Sequence, residues 1–234
     1  MIFDATLYAN KPDLGIPRMH QLDHTTLWDD WRREREGLPT RFGRIFQSEG
    51  GTVPDGDAVF LDIEHWPDPA GARHIATLRE WSRHYPARRV GFYGVVPERD
   101  YWASIEPPQS RKYRAWQKRI ELRESLAREA GIVHPSLYTM YTDTSRWAEY
   151  ATAHIREAKR LGVLVYPFIW PQFHPSSEQP WAFMPAETFR DQLALVLSLA
   201  DGVVIWGGWG TDGRLEWDDA APWVSVLREF ITAA

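Results

Sequence analysis

The stretch A-V-F-L-D-I-E-H-W, Ala58 to Trp66, decides the fold. It opens with the unbroken apolar run of a strand buried on both faces, which a parallel sheet covered by helices requires. It ends in two acids. Side chains alternate along a strand, so Asp62 and Glu64 point to the same side. In a (β/α) barrel that side is the mouth, where the C-terminal ends of the strands carry the active site.

Working outward, short β-branched runs alternate with longer amphipathic stretches, the pattern of successive βα units. Strands are predicted near Ile2 to Leu7, Gly43 to Gln47, Ala58 to Ile63, Arg89 to Tyr93, Ser136 to Met140, Val163 to Ile169 and Gly202 to Trp206. Helices are predicted near Thr26 to Glu36, Ala70 to Tyr85, Arg111 to Ala130, Ser145 to Leu161, Pro185 to Leu199 and Ala221 to Ile231. Ser145 is a candidate cap, Pro185 suits a first turn, and Gly131 and Gly162 suit the left-handed position that ends a helix. The proline-rich spots at Pro107-Pro108 and Pro175 to Pro180 read as long βα loops. An open doubly wound sheet would carry a glycine-rich phosphate turn after an early strand, and G-x-G-x-x-G is missing there. The expectation is therefore an α/β fold, a distorted TIM-like barrel of about seven strands, as one domain over residues 1–234.

Composition narrows the chemistry. The 234 residues contain no cysteine, which excludes disulfides, thiol nucleophiles, iron–sulfur clusters and cysteine-ligated zinc. Without a basic, apolar leader in M-I-F-D-A-T, a cytoplasmic setting is expected, and a secreted one only if a leader precedes Met1. No run is long enough to span a bilayer. A net charge of −5 without a basic stripe argues against a nucleic-acid partner. Thirteen tryptophans exceed what a core needs, and flat rings suit the C–H faces of sugars. About half are expected in the core and half along a groove or the surface.

Two carboxyls as close as Asp62 and Glu64 do not both ionise cheaply, so one is expected to keep its proton to higher pH and serve as a general acid. The plainer reading, acids that cap the next helix or pair with rim arginines, carries less weight because acids ending an apolar strand are costly without a purpose. In V-V-I-W-G-G-W, Trp206 falls at a strand end and the glycines let backbone approach a ligand. Trp209 is as much a packing residue as a platform. Tyr138 and Tyr141 in P-S-L-Y-T-M-Y can donate to a developing oxyanion or serve as core in equal measure.

Metal and cofactor readings are weaker. His20 and His24 are four apart but in a predicted polar loop without a third ligand. His65 is expected to pack, and His174 to reach the catalytic face. Asp4 lies on the first strand, where it either reaches the mouth to help hold a divalent ion or pairs at the rim. No serine elbow, phosphate cradle or nicotinamide fingerprint is present, so no cofactor and no metal are expected.

D-I-E-H-W together with R-R-V-G-F-Y-G (Arg88 to Gly94), H-P-S-L-Y (His134 to Tyr138), V-Y-P-F (Val165 to Phe168) and G-V-V-I-W-G-G-W (Gly202 to Trp209) resembles the hyaluronidases of glycoside hydrolase family 56, in that family's order. The resemblance covers about three quarters of the chain. It implies a retaining, substrate-assisted glycosidase, with the substrate's acetamido oxygen as nucleophile as in the family 18 chitinases. It makes Glu64 the general acid/base and Asp62 the partner of the acetamido N–H. Tyr138 would bond the acetamido oxygen and Trp206 would wall its methyl group, with Tyr93, Trp66, Trp209, Phe168 and Tyr141 as further substrate-binding candidates. Two departures point away from hyaluronan itself. Pro67 stands where the family has an arginine, and Phe168 where it has a tyrosine. The implied protein is a remote, bacterial-type relative acting on an N-acetylhexosamine-containing oligo- or polysaccharide. A catalytically silent carbohydrate-binding barrel is the alternative, and the retained acids favour the enzyme. Oligomeric state stays open.

Overall fold

The computed structural model describes residues 1–23, 27, 58–64, 66 and 68–233. The predicted strand at Gly43 to Gln47 lies outside them, as do the helix predicted at Thr26 to Glu36 apart from Leu27, and His24, His65 and Pro67.

The elements run β1 (Ile2–Thr6), β2 (Met19–Asp23), β3 (Ala58–Asp62), α1 (Ala72–His84), β4 (Gly91–Phe92), α2 (Arg111–Leu122), α3 (Glu124–Ala130), β5 (Ile132–Val133), α4 (Thr144–Arg160), β6 (Leu164–Val165), β7 (Phe168–Ile169), α5 (Ala186–Leu199), β8 (Val203–Gly207), β9 (Trp209–Gly210), β10 (Gly213–Arg214) and α6 (Pro222–Ala233). β2, β3 and β4 pair in parallel, as do β1, β8 and β7, and β5 with β6. Single parallel bridges join these groups: Asp4 to Arg18, Tyr93 to His134, and Ser136 to Phe168. Followed from β1 through β2, β3 and β4 to β5, which also pairs with β6, and from Ser136 across to β7 and β8, the pairings and bridges return to β1. β9 and β10 form a small antiparallel hairpin beyond β8.

The alternation predicted for Ala58 to Trp66 sorts two cores. Inside the circuit, Phe3, Ala5, Met19, Phe60, Tyr93, Tyr138, Phe168, Trp170 and Val204 pack together. Between strands and helices, Val59, Leu61, Ile63, Phe92, Val133, Leu137, Val165, Val203 and Ile205 meet the apolar faces of the helices. Tryptophans pin several helices. Trp81 of α1, Trp116 of α2 and Trp147 of α4 are buried, and their indole N–H groups donate to the carbonyls of Arg88, Glu98 and Leu137. Each large ring thereby leaves the solvent with its one donor satisfied.

Several expectations shift. β2 was not predicted, because Met19–Asp23 reads M-H-Q-L-D and its inward side passes from Met19 to the polar Gln21 instead of staying apolar. His20 consequently sits on a strand, not in a loop. The predicted helix from Arg111 to Ala130 is broken at Arg123, whose guanidinium is drawn to the carbonyl of Val95 at 2.9 Å and to Glu98 at 3.3 Å. Asp143, not Ser145, caps α4: its carboxylate accepts the Ser145 N–H at 2.9 Å and the Ser145 hydroxyl at 2.7 Å. A carboxylate at that place also meets the positive end of the helix. Pro185 occupies the cap position of α5. Gly131 and Gly162 are left-handed at φ 66° and 72°, where a side chain would be strained. The strand predicted from Ser136 to Met140 begins earlier, at Ile132, and continues as single bridges at His134, Ser136 and Thr139.

Candidate functional site

β3 delivers its two acids to the C-terminal end of the circuit. Asp62 is its last residue, level with Asp23 of β2, and accepts the side-chain amide of Gln21 at 2.6 Å. Glu64 follows two residues on, half-buried. Its backbone is anchored from behind, because the buried His74 of α1 bonds the Ile63 carbonyl at 3.1 Å. Burial drives the His74 pKa down to about 4, so the ring is neutral at pH 7. Its Nε2 is then the N–H that donates to Ile63.

Room for the Glu64 carboxylate is made by Gly94, just past β4. Gly94 has φ 68°, and a Cβ there would lie 2.7 Å from Glu64 Oε2. A side chain at this position would be strained and would also push the carboxylate away. Arg99, farther along the same loop, brings its guanidinium to 3.6 Å from Glu64 Oε2. Gly94, Arg99 and Gln21 were missed in the sequence. G-F-Y-G offered a glycine signal, but nothing local ties Arg99 or Gln21 to Glu64.

An aromatic wall stands beside the acids. Tyr138 lies 5.6 Å from Trp206 and 5.3 Å from Trp170 between ring centroids, and Trp170 lies 4.9 Å from Trp206 in an edge-to-face arrangement. Trp206 is half-buried, so part of its ring faces the mouth. Trp170 was not anticipated, nor was Trp181, which meets it at 5.4 Å and adopts φ 65°. The Trp181 carbonyl accepts from Gln172, whose own oxygen accepts the Trp170 indole N–H.

Below the wall, the Tyr93 hydroxyl bonds Ser136 Oγ at 2.9 Å and also interacts with Tyr138. Burial, with the negative charge of Glu64 secondary, pushes the Tyr93 phenol up. Tyr138 is pushed well up by burial first, then by Tyr93, Asp62 and Glu64. Both phenols therefore keep their protons and remain donors.

The other candidates lie elsewhere. Phe168 is wholly buried against Phe60 at 4.6 Å and Tyr93 at 5.0 Å, deep inside the circuit. Trp66 packs outward against His74 and Phe92. Trp209 is exposed on the β9–β10 hairpin. Tyr141 donates to the Tyr101 carbonyl in a separate aromatic group with Trp102 and Tyr150. His174 lies near Tyr101 and Arg99, with its pKa lowered by burial first and then by Arg99. Gly208 serves the fold: a Cβ there would lie 2.5 Å from the Tyr8 nitrogen, so this glycine admits the neighbouring backbone.

Asp4 points outward and is 4% exposed. Its carboxylate is held by Lys11 at 2.5 Å and by the Thr6 hydroxyl at 2.6 Å, so it takes the pairing role weighed for it. Among the described residues no group of three or more histidine and acidic side chains is arranged to hold a metal ion. No described helix is long and apolar enough to cross a membrane. A cleft of about 780 Å³, lined by Trp81, Arg88, Gly131, Gly162 and Asp201 among others, opens at the N-terminal ends of the strands, away from Glu64.

No protein-family model matches the chain, and no curated protein matches it in sequence. Solved structures do. Bee venom hyaluronidase superposes with a TM-score of 0.52 at 15% identity, over 81% of this chain and 74% of that one. The hyperthermostable endo-1,4-β-D-mannanase from Thermotoga petrophila RKU-1, solved with maltose and glycerol, superposes with a TM-score of 0.54 at 17% identity, over 95% of this chain and 76% of that one. Both are TIM-barrel glycosidases, and at these identities the likeness shows the fold.

Proposed function

We propose that the strand circuit is a distorted (β/α) barrel and that the chain is a glycoside hydrolase, retaining and substrate-assisted, acting on an N-acetylhexosamine-containing glycan. The observation that carries this reading is the placement of Asp62 and Glu64 on the inward side of β3, beside the Tyr138–Trp170–Trp206 wall. A carboxyl pair flanked by rings that stack on sugar is what glycosidic cleavage needs, and the fold shared with two glycosidases agrees with it.

In the first step the acetamido oxygen of the bound sugar attacks its own anomeric carbon. Glu64 gives its proton to the departing glycosidic oxygen, and the C–O bond breaks. Asp62 accepts the acetamido N–H and stabilises the cyclic oxazolinium, while Tyr138 donates to the acetamido oxygen and orients it. Trp206 closes off the methyl group and keeps water from the intermediate. In the second step Glu64, now a carboxylate beside Arg99, takes a proton from water as that water attacks the anomeric carbon from the vacated side, and the bond from that carbon to the acetamido oxygen breaks to restore the acetamide. Two displacements leave the configuration retained.

The test is hydrolysis of a glycan panel, with N-acetylglucosamine oligosaccharides, hyaluronan and β-mannan included, by the parent protein and by Glu64→Gln, following product anomers by NMR. Retained N-acetylhexosamine products, lost in the variant, support the proposal. Turnover of mannan alone would assign Asp62 and Glu64 to a mechanism without acetamido help. Sugar binding equal in both proteins, with no turnover, would make the chain a silent carbohydrate-binding barrel.

A further inference from the structure

Trp102 sets itself apart from the helix tryptophans. Trp81, Trp116, Trp147 and Trp223 are 0–2% exposed, whereas Trp102 is 55% exposed. It stands in the loop after β4 on a firmly made turn. Asp100 accepts the N–H groups of Trp102 at 3.2 Å and Ala103 at 2.8 Å, and Arg119 of α2 holds the same carboxylate at 2.7 Å. The ring is backed by Tyr141, edge-to-face at 5.5 Å and 89°, and Arg146 of α4 lies 5.9 Å from the centroids of both rings. Holding a large apolar ring still, and more than half in water, gains nothing for the fold.

Its position gives it a use. Glu64 contacts Arg99, and the charges of Arg99 and Glu64 both act on the Tyr101 phenol, which burial raises to about 12. Tyr101 in turn meets Tyr141 at 6.1 Å, and Tyr141 meets Trp102. The buried Tyr101 hydroxyl has no hydrogen-bond partner among the described residues. Glu64 thus lies where two aromatic groups come together, the Tyr138–Trp170–Trp206 wall and the Tyr101–Tyr141–Trp102 line. A glycan whose scissile bond sits at Glu64 with one sugar on the wall has its neighbouring sugars free to run along the line.

We infer that Trp102, backed by Tyr141 and Arg146, is a distal sugar subsite that stacks on a hexose ring of the same glycan beyond the cleaved bond. This rests on the glycosidase reading and makes the preferred substrate a chain rather than a disaccharide. The indole supplies a face for the sugar's C–H groups, and the Arg146 guanidinium supplies donors to its hydroxyls.

Calorimetric binding of N-acetylglucosamine oligosaccharides of two and six residues, in the Glu64→Gln background to prevent turnover, tests the subsite. Trp102→Ala is expected to weaken the hexamer roughly tenfold and to leave the dimer unchanged, with Trp102→Phe restoring most of the loss. The ring is exposed, and an unchanged thermal midpoint excludes misfolding as the source of any difference. Equal hexamer affinity with and without Trp102, while Glu64-dependent hydrolysis persists in the parent, overturns the subsite and leaves the glycosidase standing. Equal losses for dimer and hexamer also overturn it. Failure of the parent to bind either length overturns the subsite and counts against its premise as well.

Discussion

The two faces of β3 differ in kind. Outward, Val59, Leu61 and Ile63 are buried against the helix layer, an apolar contact with no polar partner to satisfy. Inward, Phe60 starts an aromatic interior that gives way within four residues to Asp62 and Glu64, each held by a polar side chain from another element: Gln21 and Arg99. One face of a single strand therefore secures the fold while the other presents charge at modest cost, because the acids come only where the circuit opens to solvent.

The sharpest way to break this division is a paired substitution. Glu64→Gln should cut hydrolysis by roughly 10²–10⁴-fold with little change in denaturation midpoint. Leu61→Ala should cost about 2–5 kcal/mol of stability in urea unfolding while a folded fraction keeps its turnover number. An acidic variant that unfolds the protein, or an apolar one that spares stability, would merge the two roles.

Acid should weaken both layers. His74 and His154 stand in the outer layer and His134 inside, each pushed down to about 4 chiefly by burial. Unfolded, they titrate near 6.5, so between pH 6.5 and 4 the unfolded chain binds protons that the fold refuses. Their stabilisation is full above pH 6.5 and is lost as pH falls toward 4, on the order of 1 kcal/mol per histidine per pH unit. Urea midpoints at pH 7, 5.5 and 4.5 read the slope, and a flat profile would show these rings to be solvated.

Gly94→Ala sharpens the boundary between the faces. The positive φ predicts a stability loss of about 1 kcal/mol, and the Cβ beside Glu64 predicts a larger proportional loss of hydrolysis. Equal activity per folded molecule would mean that the carboxylate moves aside without consequence. The smallest effect is expected from Tyr93→Phe, which removes the bond to Ser136 and costs roughly 0.5–1.5 kcal/mol. Because Tyr93 also supports Tyr138, hydrolysis should fall by less than tenfold, without the complete loss expected at Glu64.

Trp206 was singled out because it ends the apolar run V-V-I, and Tyr138 because H-P-S-L-Y brings a phenol near the end of the fifth predicted strand; the structure places the two rings 5.6 Å apart. Tyr93 and Phe168 were assigned contact with substrate by motif, yet their depth is a tertiary matter. Phe168 fills the interior under Tyr93, and the Tyr93 hydroxyl is taken up by Ser136. Trp170 escaped notice because I-W-P-Q carries no strand-end acid or glycine to mark it.

The sequence by itself determined the alternation of strands and helices, the sidedness of β3 and the pairing of Asp62 with Glu64, because the period of a strand is local and fixed by backbone geometry. Only the tertiary structure decided which distant groups meet those acids. Gln21 comes from β2, and Gly94 and Arg99 from the loop after β4. Contacts of this kind depend on how the strands close and where their loops turn, and no spacing along the chain encodes them.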